Sequence, residues 1–414
     1  MSDCAVVRFE GVGQPLVLAE GGELVPLIDR VLAAWPHQTR TADAATLGGR
    51  AEKLTLVREH GLYLLDSPWL ESPIRHRDPV HTVCGLVVHL VHAFVASNPT
   101  ALCLHSAAAC LGGRLVVFPN VYRGGKSLLV AHLALLGVRS FGDDVIPVRG
   151  RFDSGFALGI APRLRLPLPD CVTPDFAEFI AAHAGPGTGR YQYLDLDLEA
   201  LAGHGESAPI GAFVVLDHRQ GRAAALEPLA AGEMLRRVIA RNFARAQPAR
   251  RILQRLERLV RSRPCYRLGY DDPATAARLL AVRFGSWPED RPRPPQTGKA
   301  APAAVRPRRA AAGALKRAPQ VIERRVGDDL FLVNVDTDSI FHLNELADAL
   351  WGLAKAGTEE AEMIALVQAA FPDVPGERIA TDVGRLLKSL VGKGLIARGG
   401  RERSGAIRDR AAQS

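Results

Sequence analysis

The sequence predicts a mixed α/β fold in which an α/β P-loop core follows an α+β N-terminal extension and precedes a small winged-helix-like α+β domain. Three observations predict it. Residues 113–144 read as a strand, a glycine turn, an apolar helix and a second strand. Residues 286–320 are rich in Pro, Ala and Arg without a helical or strand period, which marks a boundary. Beyond them, a hairpin pattern precedes three helical patterns.

The first segment has the pattern of a phosphate-binding loop. Gly124 and Gly125 let backbone N–H groups approach phosphate oxygens, and Lys126 supplies a positive charge. The hydroxyl of Ser127 suits Mg²⁺, and the helix from Ser127 to about Leu136 directs its positive end at the anion. The expected nucleotide-binding residues are Asn120, Val121, Tyr122, Arg123, Gly124, Gly125, Lys126, Ser127 and Leu128.

One position departs from the usual pattern of such loops. Asn120, preceded by Pro119, stands where G-x-x-x-x-G-K-[ST] has its first glycine. Asn tolerates left-handed backbone angles better than most residues, so the turn can survive. Two alternatives stay open: a plain surface turn, and a loop that binds a nucleotide without catalysing transfer.

Two adjacent carboxylates follow the helix. Asp143 and Asp144 come after a helix stop at Gly137 and a short strand, Val138 to Phe141. Such a pair is costly unless a cation or a transferable proton occupies it. We predict that Asp144 holds Mg²⁺ together with Ser127, and that the other carboxylate takes the proton from an attacking hydroxyl.

These residues resemble a known family. Residues 104–129, LHSAAACLGGRLVVFPNVYRGGKSLL, and FGDDVIPV after them are similar to the HPr kinase/phosphorylase superfamily, in its HPr-kinase-related branch. The likeness runs from about residue 60 to 285. It implies a PEP-carboxykinase-like kinase core that uses ATP and Mg²⁺, with Lys126, Asp143, Asp144 and His105 as catalytic residues. The later loop with which HPr kinases grip their partner is not visible, which argues against HPr as the substrate.

The C-terminal segment is predicted to fold separately. Asp329 to Val335 and the IFHL sequence after a DTDS turn form a hairpin pattern. Asn344 can cap a helix, Thr358 a second, and Glu377 to Lys393 is a third with an apolar face.

This segment resembles the PqqD family, the peptide-recognition element for ribosomally made, modified peptides. The likeness is carried by residues 329–371 and by KSLVGKGLI. It implies that a leader peptide adds as a strand to the hairpin edge and packs on the third helix. The implied contact residues are Phe331, Leu332, Val333, Asn334, Val335, Arg385 and Lys388.

The net charge of +8 does not predict nucleic-acid binding. The excess of Lys and Arg lies in the Pro/Ala/Arg-rich segment and in residues 398–414, and not on a folded face. Ten arginines between Arg236 and Arg263 form a second cluster on an amphipathic helix. These arginines form either a solvated helix face or a surface that faces an anionic group, namely the ATP phosphates or an acidic peptide.

Composition also bears on the compartment. The six cysteines show neither C-x-x-C nor zinc spacing, and the start lacks a signal-peptide pattern, so we expect a cytoplasmic protein. We interpret Pro79 to Ser97 as a buried helix and not a membrane span. His89 and His92 on it are expected to pack in the core.

We thus predict five segments: an N-terminal extension (1–100) with three short strands and a helix from Leu24 to Trp35, the core (101–285), a linker (286–318), the peptide-binding domain (319–397) and a basic tail (398–414). The predicted activity is phosphorylation of a Ser or Thr hydroxyl on a precursor peptide. Two alternatives remain: a scaffold presenting the peptide to other modifying enzymes, and a kinase for a metabolite such as a free amino acid. A homo-oligomer stays open.

Overall fold

The computed structural model describes residues 3–43, 49–119, 125–150, 153–169, 172–244, 246–287 and 313–399. The chain divides into two compact units, residues 1–294 and 295–414. Alternating α-helices and β-sheets make up both, in agreement with the predicted mixed α/β class.

The first unit begins with a sheet of six described strands. They are β1 (Asp3–Phe9), β2 (Leu16–Ala19), β3 (His37–Asp43), β4 (Leu54–Glu59), β5 (Leu62–Asp66) and β6 (Ile74–His76), in the spatial order β3-β1-β2-β4-β5-β6. The predicted N-terminal strands lie in β1, β4 and β5. The predicted helix from Leu24 to Trp35 is shorter, because α1 (Val25–Val31) ends in a turn at Leu32, before Pro36.

The apolar helix α2 (Pro79–Ser97) has the predicted bounds. Asp78 caps it by accepting a hydrogen bond from the His81 backbone N–H at 2.8 Å. Its side chains Val83, Leu86 and Phe94 enter the core beneath the first sheet. The helix is long and apolar enough to cross a membrane by length and composition, but 56% of its most apolar window is buried inside the unit, as in a core helix.

A second sheet, of nine described strands, forms the centre of this unit. Its strands are β7 (Leu102–Leu104), β8 (Ala107–Leu111), β9 (Arg114–Phe118), β10 (Arg139–Gly142), β11 (Ile146–Arg149), β12 (Ser154–Phe156), β16 (Ser207–His218), β17 (Ala225–Pro228) and β18 (Cys265–Tyr270). The long strand β16 runs parallel to both β9 and β18. A small sheet holds β13 (Arg163–Arg165), β14 (Ala184–Gly187) and β15 (Tyr191–Leu194).

Five more helices surround these sheets. They are α3 (Lys126–Leu135), α4 (Pro174–Ala182), α5 (Ala231–Arg241), α6 (Ala249–Arg261) and α7 (Pro273–Phe284). Helix α6 buries the predicted face of Ile252, Leu253, Leu256 and Leu259.

Part of the arginine cluster is structural. Arg255 and Arg258 of α6 each approach a carboxylate oxygen of Asp153 at 2.7 Å, and the Asp153 side chain is only 5% exposed. These two arginines therefore fasten α6 to the loop between β11 and β12, a role that neither sequence interpretation included.

In its described residues, the second unit combines two small sheets with three helices. It contains β19 (Leu315–Arg317), β20 (Val321–Val326), β21 (Asp329–Asn334), β22 (Ser339–Leu343), α8 (Glu345–Ala354), α9 (Glu360–Ala370), α10 (Gly376–Gly392) and β23 (Ile396–Arg398). Strands β20, β21 and β22 form an antiparallel sheet, and β19 pairs with β23. Trp351, Leu387 and Met363 are among the side chains of its core.

Three features of this unit differ from the sequence prediction. Leu315 to Arg317, assigned to the linker, form β19 because β23 supplies a distant pairing partner. Strand β20 was not predicted. Thr358 does not cap α9: its hydroxyl donates to the Leu353 carbonyl at 2.8 Å, and Glu359 takes the N-cap position without a side-chain hydrogen bond.

Candidate functional site

The predicted phosphate loop lies between β9 and α3. Residues Asn120, Val121, Tyr122, Arg123 and Gly124 lie outside the described residues, and β9 ends at Phe118 before them. Gly125 is the N-cap of α3 and has φ of 77°, in the left-handed region. A Cβ there would lie 2.7 Å from the Tyr270 hydroxyl, so both backbone angle and space require glycine.

Gly125→Ala is therefore expected to destabilise the protein, with about 1–2 kcal/mol from the left-handed backbone alone. Gly61→Ala is the matched control, because Gly61 has φ of 75° but no atom within 4 Å of the added Cβ. Chemical denaturation should show a larger loss of unfolding free energy for Gly125→Ala. An equal loss in both variants would mean that the Tyr270 contact has no effect.

Lys126 begins α3 and is only 7% exposed. Burial lowers the pKa of its ammonium group, while the charges of Asp144 and Asp143 act in the opposite direction. A desolvated cation at a helix N-terminus gains strongly from a nearby anion. Lys126 and α3 thus fit the phosphates of a nucleotide.

Asp143 is the more buried of the two carboxylates, at 6% exposure. Its Oδ2 accepts a hydrogen bond from the Arg163 backbone N–H at 2.9 Å, and the Ser127 side chain also hydrogen-bonds to it. Burial, and then the charge of Asp144, raise its pKa to about 6, against these hydrogen bonds. Asp143 can therefore hold or release a proton near neutral pH.

The raised pKa gives a stability prediction. A carboxyl group whose folded pKa is raised from 3.8 to about 6 stabilises the fold fully below 3.8, and this contribution is lost as pH rises through 6. Without metal at pH 8, the free energy of unfolding of Asp143→Asn should therefore exceed that of the unmodified protein by on the order of 1–3 kcal/mol. Denaturant titration measures this gain, which should shrink at pH 4. An equal difference at both pH values would contradict the buried-carboxyl assignment.

His105 lies at the end of β7 and meets Asp144. The distance from His105 Nε2 to Asp144 Oδ1 is 3.2 Å, and the His105 backbone N–H donates to the Arg241 carbonyl at 2.8 Å. Burial lowers the pKa of His105, although Asp144 acts to raise it. The His105 imidazole lies directly beside the Asp144 carboxylate.

The donor set fits Mg²⁺ as a partly hydrated ion. Ser127 and Asp144 offer oxygen ligands, and a cation would offset the repulsion between Asp144 and Asp143. Within the part of the chain that the structure describes, no three His, Cys, Asp or Glu side chains form a metal cluster. Few protein ligands are expected, since Mg²⁺ usually keeps waters and takes phosphate oxygens.

A cavity of about 410 Å³ opens beside these residues. Its lining residues include His105, Asp143, Asp144 and Arg241. Arg163 lines it too, and its guanidinium lies 4.7 Å from the centre of the Tyr191 ring. Sequence analysis missed Arg163, which carries no motif, and included Arg241 only as one of ten clustered arginines.

Most of the predicted leader-contact residues lie in the central strand of a sheet. Strand β21 is the centre of its sheet: Phe331, Leu332, Val333 and Asn334 pair with β20 on one side and β22 on the other. A central strand cannot accept another strand, so the assignment of these residues to strand addition is wrong. Val335 lies just beyond β21, and its N–H donates to Gln320. Arg385 and Lys388 are exposed on α10, Arg385 in an ion pair with Asp382 at 3.2 Å.

Comparison with known proteins identifies one part of the chain. Residues 329–396 match the family described as coenzyme PQQ synthesis protein D (PqqD). The second unit therefore contains a PqqD domain, which confirms the resemblance seen in the sequence. The comparison with curated proteins gave no match.

Two solved structures share distant likenesses with the chain. One is TbiB1 in complex with the TbiA(beta) leader peptide, at 22% identity, 20% coverage of this chain, 93% coverage of that chain and a TM-score of 0.19. The other is the HPr(Ser) kinase/phosphatase from Coxiella burnetii, at 12% identity, 44% and 93% coverage, and a TM-score of 0.23.

Proposed function

We propose that this protein is an ATP-dependent kinase that phosphorylates a Ser or Thr hydroxyl of a ribosomally synthesised precursor peptide, and that its PqqD domain binds the leader of that peptide. One observation carries the proposal. A chain with a PqqD domain brings Asp143, Asp144 and His105 together at one cavity of its other unit, and the charges of both carboxylates act on the buried Lys126. A buried lysine at a helix N-terminus beside paired carboxylates suits phosphoryl transfer.

The proposed chemistry assigns one task to each side chain. The carboxylate of Asp143 takes the proton of the acceptor hydroxyl. The acceptor oxygen forms a bond to the γ-phosphorus of ATP while the bond to the bridging β–γ oxygen breaks, so the products are the phosphoester, ADP and one proton. Lys126 stabilises the phosphate charge, and His105 orients Asp144. Bound Mg²⁺, held through Ser127 and Asp144, would neutralise charge on the phosphate oxygens.

For the leader, the edge strand β22 is the better candidate. The other edge, β20, carries Glu323, Arg324 and Arg325, and charged side chains protect an edge against strand addition. Strand β22 reads SIFHL, without Asp, Glu, Lys or Arg. The ammonium of Lys393, just after α10, lies 5.4 Å from the centre of the Phe341 ring in β22. A leader strand beside β22 would thus run next to α10, as the PqqD resemblance implies.

A substrate comparison tests the proposal against its alternatives. The full-length protein with ATP and Mg²⁺ is offered the precursor peptide, the same peptide without its leader, and free serine and threonine. We expect the leader-bearing peptide to be phosphorylated at the lowest concentration. A metabolite kinase would prefer free amino acids and keep that activity after removal of residues 295–414. A scaffold would bind the peptide and modify none of the three.

A further inference from the structure

Apolar side chains also line the cavity beside the carboxylates. We call this group the apolar wall, and its members are Val87, Val88, Val91, Leu158, Ile160 and Phe243. The first three of them belong to α2. Although α2 is largely a core helix, Val88 is 51% exposed and lies at the cavity rim. Ligand cavities are typically lined by apolar side chains with a few polar groups among them, and this cavity has that composition.

The apolar wall and the two carboxylates line the same cavity. Among the described residues, the cavity lining includes Asp143 and Asp144 but no residue of β9 or α3, where the phosphates are expected. A group that enters this cavity therefore meets the carboxylates directly. We assign this cavity to the acceptor, because its lining includes the proposed base Asp143.

The cavity is also larger than a hydroxyl group requires. Its 410 Å³ falls within the range of about 300–1,000 Å³ typical of small-ligand sites. Successive Cα atoms of a peptide are about 3.8 Å apart, so residues next to the acceptor are within reach of the same cavity.

We propose that the apolar wall binds a large apolar side chain next to the acceptor Ser or Thr, so that the enzyme selects acceptors flanked by residues such as Leu, Ile or Phe. This inference rests on the proposed kinase function and adds the substrate class. Loss of one well-buried apolar contact lowers kcat/KM by roughly 10- to 200-fold, so the preference should be large enough to measure.

The test uses the full-length protein, ATP, Mg²⁺ and a synthetic peptide library with one fixed serine and randomised flanking positions. Phosphopeptides are sequenced by mass spectrometry. We expect at least about tenfold enrichment of apolar residues beside the serine. Phosphorylation without such enrichment would overturn the inference and leave the kinase proposal standing. A library that yields no phosphopeptide, with a precursor peptide equally unmodified, would overturn both.

Val88→Asp tests the wall itself, because this exposed side chain can be changed without opening the core. We expect it to remove the apolar preference and to favour Lys or Arg beside the serine, with the KM for ATP unchanged. Val282→Asp is the matched control, since Val282 is 83% exposed on α7 and outside the cavity lining. A raised KM for ATP with an unchanged peptide preference would assign the wall to adenine and overturn the inference.

Discussion

Asp143→Asn is expected to lower kcat for peptide phosphorylation by about 10²–10⁴-fold and to change nucleotide affinity little. The amide is nearly isosteric and its oxygen can still accept the Arg163 N–H, but it cannot take the acceptor proton. Steady-state kinetics and nucleotide titration separate the two effects. Asp175→Asn, at an exposed carboxylate on α4, is the control. A variant that keeps its rate would contradict the role of Asp143 as base.

Lys126→Ala complements this variant, because it removes the buried cation and not the base. We expect loss of nucleotide affinity and of peptide phosphorylation, with leader binding unchanged. Loss of leader binding as well would favour misfolding over a missing catalytic group.

Ile340→Pro is expected to abolish leader binding by the PqqD domain. Proline in β22 removes one N–H and distorts the edge to which a leader strand would add. Ile322→Pro in β20 is a closely matched control: both isoleucines are half-buried, and both pair with Val333 of the central strand. Fluorescence anisotropy with a labelled leader peptide measures binding, and circular dichroism checks the fold.

The two proline variants distinguish leader binding at β22 from leader binding at β20. Leader binding that survives Ile322→Pro but not Ile340→Pro places the leader at β22. The reverse pattern would place it at β20 and contradict the proposal for this domain. Loss in both variants with intact folding would mean that the leader does not bind by adding to one edge.

The sequence predicted the local features well, because local chemistry determines them. A long apolar run without charged residues gave the bounds of α2, and Asn344 accepts from the Ala347 N–H as the predicted cap should. The glycine before Lys126 and the paired aspartates could be singled out in the sequence, because a Gly-Lys-Ser turn followed by a helix, a strand and two aspartates is typical of nucleotide sites.

The missed features depend on contacts between distant residues. Strand β19 exists because β23, some eighty residues later, pairs with it, and no local pattern encodes that pairing. The central position of β21 likewise depends on β20, whose sequence VIERRV lacks clear alternation. The apolar wall joins α2 to segments far along the chain, so its members looked like ordinary core residues.

The most direct test of the account is the mass of the precursor peptide after incubation with the full-length protein, ATP and Mg²⁺. The peptide is the one encoded beside the gene for this protein. The account predicts a gain of one phosphoryl group, located on a Ser or Thr outside the leader by fragmentation and absent with Asp143→Asn. A leader-bound peptide whose mass does not change, while ATP is present and the protein is folded, would contradict it.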